Sequence, residues 1–233
     1  MDWIIHRGAG EIGGNCLELR HDGFRLLVDY GQPLTGSEEE PYPPRTEVDG
    51  VFISHGHQDH HGRLHRLHPR VPVYLTSVAQ VLIESSRLFM RRESLQNHFL
   101  PLQALVPHRV GPFEVTAFPV DHSFPDSCAF RIRAGGKTVF YSGDLRETGN
   151  LAPLTRSLSR CSVGEVDILF LEGTNLGRGV DTYQDEKAVE EAFVEGLHGA
   201  PGAVFLTCSG QNVERLVRAW KADTLGNLVF RKT

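Results

Sequence analysis

Residues 54–62 read Ser54-His55-Gly56-His57-Gln58-Asp59-His60-His61-Gly62, four imidazoles and a carboxylate in nine positions, directly behind the apolar run Val51-Phe52-Ile53. Side chains two residues apart in extended chain point the same way, so His55 and His57 leave a strand end aimed at one point, with Gly56 keeping the turn uncrowded. Asp59 and His60 follow two and three residues later and can face a second point a few Å away, just before a helix predicted over His61 to His68. Neutral imidazole combined with carboxylate suits zinc, with iron or manganese as alternatives. A His-rich polar stretch can also be simply solvated, but H-x-H-x-D-H at a strand end is a stronger pattern than an isolated H-x-H pair. His61, His65 and His68 fall outside that spacing and read as surface residues.

Two places downstream supply what a two-metal site still lacks. Val120-Asp121-His122-Ser123 ends one strand in a His, and Tyr141-Ser142-Gly143-Asp144 ends another in Gly-Asp. Alone, His122 reads equally as a satisfied core residue and Asp144 as a turn cap. Together they complete a three-His set and add a carboxylate able to bridge two metals.

The 233 residues, 40% hydrophobic and 23% charged, suit one compact soluble body with no repeat and no low-complexity linker. No apolar run approaches the roughly 18 residues that span a bilayer, and the start MDWIIHRGAG lacks a signal layout, which predicts a cytoplasmic protein with no membrane partner. Cys16, Cys128, Cys161 and Cys208 are far apart and predict buried free thiols. The net charge of −5 does not advertise nucleic-acid binding, but bound divalent cations would change the balance locally. One basic cluster, Arg87 to Arg92, reads first as a solvated helix face.

Strands are predicted at Trp3 to His6, Cys16 to Leu19, Phe24 to Asp29, Gly50 to Ser54, Val71 to Leu75, Phe113 to Pro119, Cys128 to Arg133, Thr138 to Tyr141, Asp167 to Leu171 and Ala203 to Thr207. Helices are predicted at Ser77 to Met90 with Thr76 or Ser77 as N-cap, Thr182 to Leu197, and Gln211 to Lys221. Gly135-Gly136 is the hairpin turn. Thr35 to Arg45 reads as a polar, Pro-rich loop, and Leu228 to Arg231 as a strand with nothing after it to cover it. Pattern alone gives α/β or α+β, sheets packed together with helices outside.

With HGHQDH, His122 and Asp144 in this order, the sequence resembles the metallo-β-lactamase-fold hydrolases. It is most similar to their β-CASP branch, the nucleases related to bacterial ribonuclease J and the mRNA 3′-end processing endonuclease. The branch rests on GAGEIGGN (Gly8 to Asn15), LLVDYG (Leu26 to Gly31), PVDHSF (Pro119 to Phe124), YSGDLRETG (Tyr141 to Gly149), LEGTN (Leu171 to Asn175) and TCSGQNVERL (Thr207 to Leu216). The resemblance implies a four-layer αββα sandwich with the site at one edge. It implies one metal held by His55, His57 and His122, another by Asp59 and His60, and Asp144 bridging, with two divalent cations, Zn2+ first and Mn2+ or Fe as alternatives. Asp59, Asp144 and Glu172 are the carboxylates it assigns to catalysis, Glu172 as a residue orienting a ligand His.

The resemblance further implies a metal-dependent phosphodiesterase acting on RNA or single-stranded DNA. Residues 1–200 then form the metallo-β-lactamase-like domain and 201–233 the start of an inserted domain. The family's final His ligand is not met, since no His follows His198. That departure predicts a fold incomplete at the C-terminus and weak or no nuclease activity, as an inactive truncated product, or completion by a homo-oligomer or another chain. A hydrolase of the same fold acting on a thioester or lactone is the alternative enzyme reading.

Overall fold

The computed structural model describes residues 1–34, 48–158, 163–177, 179 and 185–222. The apolar runs LLV and VFI carry no polar alternation because both their faces are covered. Leu26 and Val28 of β3 (Phe24–Val28) and Phe52 of β4 (Gly50–Phe52) face a core between two sheets, while Leu27, Val51 and Ile53 face a second core on the other side. Leu26, Leu27, Val28, Val51 and Phe52 are fully buried, each worth about 1.5–3 kcal/mol for a side chain of this size.

The first sheet has the order β1 (Asp2–Arg7), β2 (Cys16–His21), β3, β4, β5 (Pro72–Leu75), β6 (His98–Pro101). β1, β2 and β3 pair antiparallel, and β3 to β6 are parallel. The second sheet runs β11 (Ile168–Phe170), β10 (Lys137–Tyr141), β9 (Cys128–Ala134), β8 (Phe113–Pro119), β7 (Pro107–Val110), antiparallel except for the β10–β11 pair. Between the sheets, Phe52 meets Phe130 edge-on at 5.9 Å. Outside the first sheet, Ala79 and Ile83 of α2 (Ser77–Phe89) cover Val51, Ile53 and Val73. Outside the second, Leu158 of α3 (Ala152–Leu158) packs on Phe118, Val120 and Phe140. The layers are therefore helix, sheet, sheet, helix, as the sequence leads one to expect.

Topology places the site. β8 and β10 run the same way because each is antiparallel to β9, β11 is parallel to β10, and β3 is parallel to β4. Their carboxyl ends deliver Asp29, Ser54-His55, Asp121-His122, Ser142-Asp144 and Glu172 to one rim. Cys128 N donates to Ser54 O across the sheets at 2.9 Å, fixing the two strand ends together.

Several expectations need correction. The helix predicted over His61 to His68 is instead α1 (Gln58–His61), closed at Gly62, followed by one 3-10 turn at Leu64–Arg66. Leu67 is already extended and His68 precedes Pro69, a position that disfavours helix. His61 is buried rather than on the surface, its Nδ1–H donating to His57 O at 2.9 Å, whereas His65 and His68 are exposed. Residues 203–207 form no strand: Phe205 is 93% exposed, and no described strand pairs with them to satisfy a ladder. β6, β7 and α3 were not foreseen, being short, Pro-bounded or weakly patterned. Elsewhere Thr76 caps α2 by accepting from Ala79 N at 3.2 Å, and Gly135 and Gly136 turn the hairpin at φ 57 and 71. α4 (Glu186–Gly199) starts at an Asp185 cap, and α5 (Val213–Ala222) follows. The loop at 35–45, Cys161, residues 182–184 and the strand at 228–231 lie outside the described residues, while Cys16 and Cys128 are buried free thiols and Cys208 is free but only half-buried.

Candidate metal centre

His55 leaves the end of β4 and His57 enters the cap of α1, so the strand-to-helix turn presents both rings to one side. His55 Nε2 and His57 Nδ1 stand 3.0 Å apart, and His122 Nε2, arriving from β8, stands 3.1 Å from the same His57 atom. Asp144, from the end of β10, puts Oδ2 at 3.7 Å from His122 Nε2 and 4.0 Å from His55 Nε2. Its other oxygen, Oδ1, lies 3.4 Å from His60 Nε2. Two triads of ligand atoms, His55-His57-His122 and His55-His60-Asp144, thus each fall within 4.8 Å. Asp59 approaches the second set through His60, with Oδ2 at 3.7 Å from His60 Nε2.

These spacings fit metal. Donors at about 2.0–2.1 Å around a tetrahedral Zn2+ stand roughly 3.3–3.4 Å apart, in the range found here. The proton positions agree. Burial, then the neighbouring imidazoles, holds His55 well below the ordinary value, and burial pushes His57 down and His122 to about 3, so all three are neutral at pH 7 with lone pairs to offer. Burial also opposes charge on His60, but Asp29 and then Asp144 outweigh it and hold His60 well above its ordinary value. Asp144 in turn sits at about 2, burial being overcome by His60, His122 and His57. Two carboxylates facing one buried imidazole mark a place short of positive charge, and a divalent cation at Nε2 would supply that charge in place of a second proton.

The residue that sequence reasoning missed is Asp29. Fully buried at the end of β3 with φ 60, it accepts four hydrogen bonds. His60 Nδ1 and Tyr141 Oη donate to Oδ2 at 2.7 Å each, Ser54 Oγ donates there at 2.8 Å, and Ser54 N donates to Oδ1 at 2.7 Å. With its proton committed to Asp29, Ser54 Oγ accepts from His55 Nδ1 at 3.1 Å. One carboxylate thereby fixes the tautomers of two candidate ligands, turning both Nε2 lone pairs to the site. The signal was present in Leu26-Leu27-Val28-Asp29-Tyr30-Gly31, where the Asp reads locally as a strand stop.

Two close approaches hold the ligand loop in place. A Cβ on Gly31 would lie 1.6 Å from Asp59 O, and one on Gly56 would lie 2.2 Å from the Phe124 ring, so neither position admits a side chain without displacing its neighbour.

Behind His122 and Asp144, Arg146 ties both loops to the helices. Arg146 N donates to Asp121 O at 2.7 Å, its Nη1 donates to Glu186 Oε1 at 2.9 Å, and Nη2 pairs with Glu214. Arg215 makes a two-point pair with Glu186 at 2.8 and 2.7 Å, and Arg218 reaches Glu190 at 2.7 Å, so α4 and α5 are joined to the rim through charge. Nothing in the sequence marks this network, because its members are spread from position 121 to 218.

On the open side a cleft of about 810 Å3 runs past Asp59, Ser142, Gly143 and Asp144, walled by the Gly8 to Gly13 loop and by Leu171 to Thr174. Glu172 lines it. Its carboxylate accepts from Thr174 N at 2.9 Å, holding its own turn, and its N–H donates to Ser142 Oγ at 2.9 Å. The expected bond from Glu172 to a ligand His is thus replaced by a bond to its own loop.

A family model, the Beta-lactamase superfamily domain, matches residues 25–191. The chain belongs to that superfamily. Among relatives of this superfamily chain, a ribonuclease J of Sinorhizobium meliloti is 32% identical over 234 residues, covering 90% of this chain and 40% of its own length. Ribonuclease J of Mycobacterium tuberculosis is 28% identical over 229 residues with the same coverage. A probable RNase of Methanocaldococcus jannaschii is 30% identical over 217 residues, 83% of this chain and 50% of that one. The chain therefore spans 40 to 50% of these relatives. A crystal structure of a protein of unknown function from Enterococcus faecalis V583 shares the fold at TM-score 0.79 and 20% identity, over 94% of this chain and 62% of that one. Among the described residues, no helix is long and apolar enough to cross a membrane.

Proposed function

We propose that this chain is a metal-dependent phosphodiesterase of the β-CASP branch, acting on RNA in preference to single-stranded DNA, with two divalent cations, Zn2+ first. The observation that carries the reading is Asp144, whose Oδ2 faces the His55-His57-His122 set while Oδ1 faces His60. The ribonuclease names of the relatives that cover most of this chain support the substrate class.

Two bound cations would lower the pKa of a water to near neutrality and neutralise charge growing on the phosphorane. The protein's share is positioning. His55, His57 and His122 stay neutral through burial, Asp29 holds His60 and, through Ser54, His55 in register, and Asp144 spans the two sets. Asp59, at the cleft wall, would orient the nucleophile as well as hold metal. Glu172 shapes the rim where the strand enters. Residues 1–200 would carry this chemistry and 201–233 begin an inserted domain, within a cytoplasmic protein.

The test offers metal-loaded protein a 5′-labelled single-stranded RNA, the matching DNA, a thioester and a lactone. RNA cleavage that disappears in His57→Ala is the expected result; turnover of the thioester or lactone with none of RNA overturns the reading.

A further inference from the structure

The turn that ends α2 reads Arg87-Leu88-Phe89-Met90-Arg91-Arg92, and the fold brings it beside the ligand loop. Arg87, Met90 and Arg92 line a notch whose other wall is Gly56, Gln58 and His61, the residues interleaved with the candidate ligands. Gln58 Nε2 touches Met90 Sδ at 3.9 Å across it. Gln211, whose backbone hydrogen-bonds His57, closes one end.

The charge here is not absorbed by the protein. Elsewhere on the surface Arg109, Lys137 and Arg156 sit on carboxylates at 2.8, 2.7 and 3.1 Å. Among the described residues, Arg91 and Arg92 have no carboxylate partner, and Arg87 spends its Nε–H on Glu93 O at 2.7 Å. The acids of the segment are Glu84, whose Oε1 accepts from Leu95 N, and the exposed Glu93. Helix-dipole pairing explains one cation in the last turn, a place Arg87 already fills. It does not explain Arg91, which follows the Met90 cap at φ 55, a left-handed position where glycine is usual and a side chain costs about 1 kcal/mol or more.

We propose that Arg87, Arg91 and Arg92 form the phosphate-backbone contact for an RNA strand on the His57 side of the metal centre. The contact rests on the ribonuclease reading above and adds where the strand lies. The notch has about 20 Å3 of room, enough for a water but not for a phosphate, so the strand would cross its rim, where Arg87 and Arg92 line the wall and Arg91 stands exposed between Met90 and Arg92. Such contacts position the backbone without reading sequence.

The probe is a labelled single-stranded RNA with phosphorothioate linkages, which slow hydrolysis and keep the backbone charge, titrated against wild type and Arg91→Gln/Arg92→Gln over 50 to 200 mM salt. Each phosphate contact on a single strand contributes about 0.7 to the slope of log Kd against log salt, so losing two lowers it by about 1.4 and makes binding about sevenfold less salt-sensitive over that range. Arg91→Lys/Arg92→Lys, which keeps the charge, retains the wild-type slope. Metal content and the unfolding midpoint confirm that the exposed substitutions leave the fold intact. An unchanged slope in a protein that binds RNA overturns the contact alone. A wild type that neither binds nor cleaves RNA overturns the contact together with the ribonuclease reading.

Discussion

Asp29→Asn removes one charge from the buried centre and little else, since Asn has the same shape and tolerates the φ of 60 that Asp29 adopts. Its consequence follows from proton positions. Oδ2 accepts from His60 Nδ1, Tyr141 Oη and Ser54 Oγ, whereas an amide NH2 in that place can only donate. The two hydroxyls can rotate to accept. His60 can accept only by moving its proton to Nε2, the atom that faces Asp144 Oδ1 at 3.4 Å, and a protonated Nε2 offers no lone pair to a metal. If the amide flips instead, Ser54 N loses its acceptor. Loss of such an orienting partner weakens metal binding about 10- to 100-fold, or about 1.4–2.7 kcal/mol. His55, held only indirectly through Ser54, should lose less. Stepwise competition against a fluorescent chelator resolves the two sites: one affinity should drop by that amount, the other by less than about threefold. Equal losses at both sites, or a lower unfolding temperature with metal binding untouched, would refute the tautomer reasoning.

Gly31→Ala should lose metal through a different route, because its Cβ would lie 1.6 Å from Asp59 O and must push the Asp59-His60 turn away; metal content per chain checks this. Arg146→Met leaves the buried Asp121 without its cation, while Glu186 keeps its two-point pair with Arg215, at a cost of about 3–5 kcal/mol. In a chain of this size that lowers the unfolding midpoint by roughly 6–20 °C, readable by calorimetry. Glu18 is fully buried, and hydrogen bonds from Arg25, Arg20 and His6 overcome burial to hold it at about 2. A depressed carboxylate stabilises the fold above its unfolded value of about 4.5 and loses that stabilisation as pH falls toward 2, so Glu18→Gln should flatten the acid side of the stability profile between those values.

The strands that carry the site were legible because burial on two faces leaves an unambiguous apolar run, as at Leu26-Leu27-Val28 and Val51-Phe52-Ile53. The H-x-H-x-D-H stretch, His122 and Asp144 were legible for a related reason, each standing at the end of such a run. Asp29 stood at one too, but a single acid after a strand also makes an ordinary turn, and only the register of β3 with β4 shows that it sits beneath Ser54 and His60. His61 misled because its burial depends on α2 and on the His57 carbonyl, neither visible in local spacing. Residues 203–207 misled in the opposite sense: apolar and β-branched, they have strand composition, yet a strand exists only with a neighbour. Glu172 kept its place at the rim while its bond went to Thr174 N.

The central claim is that Asp144 joins two metal sites. Anomalous diffraction from crystals of the metal-loaded protein tests it most directly. The account predicts two peaks roughly 3.5–4 Å apart, one among His55, His57 and His122, the other beside His60 and Asp59, with one Asp144 oxygen on each. A single peak, or two peaks that leave Asp144 unligated, would contradict it.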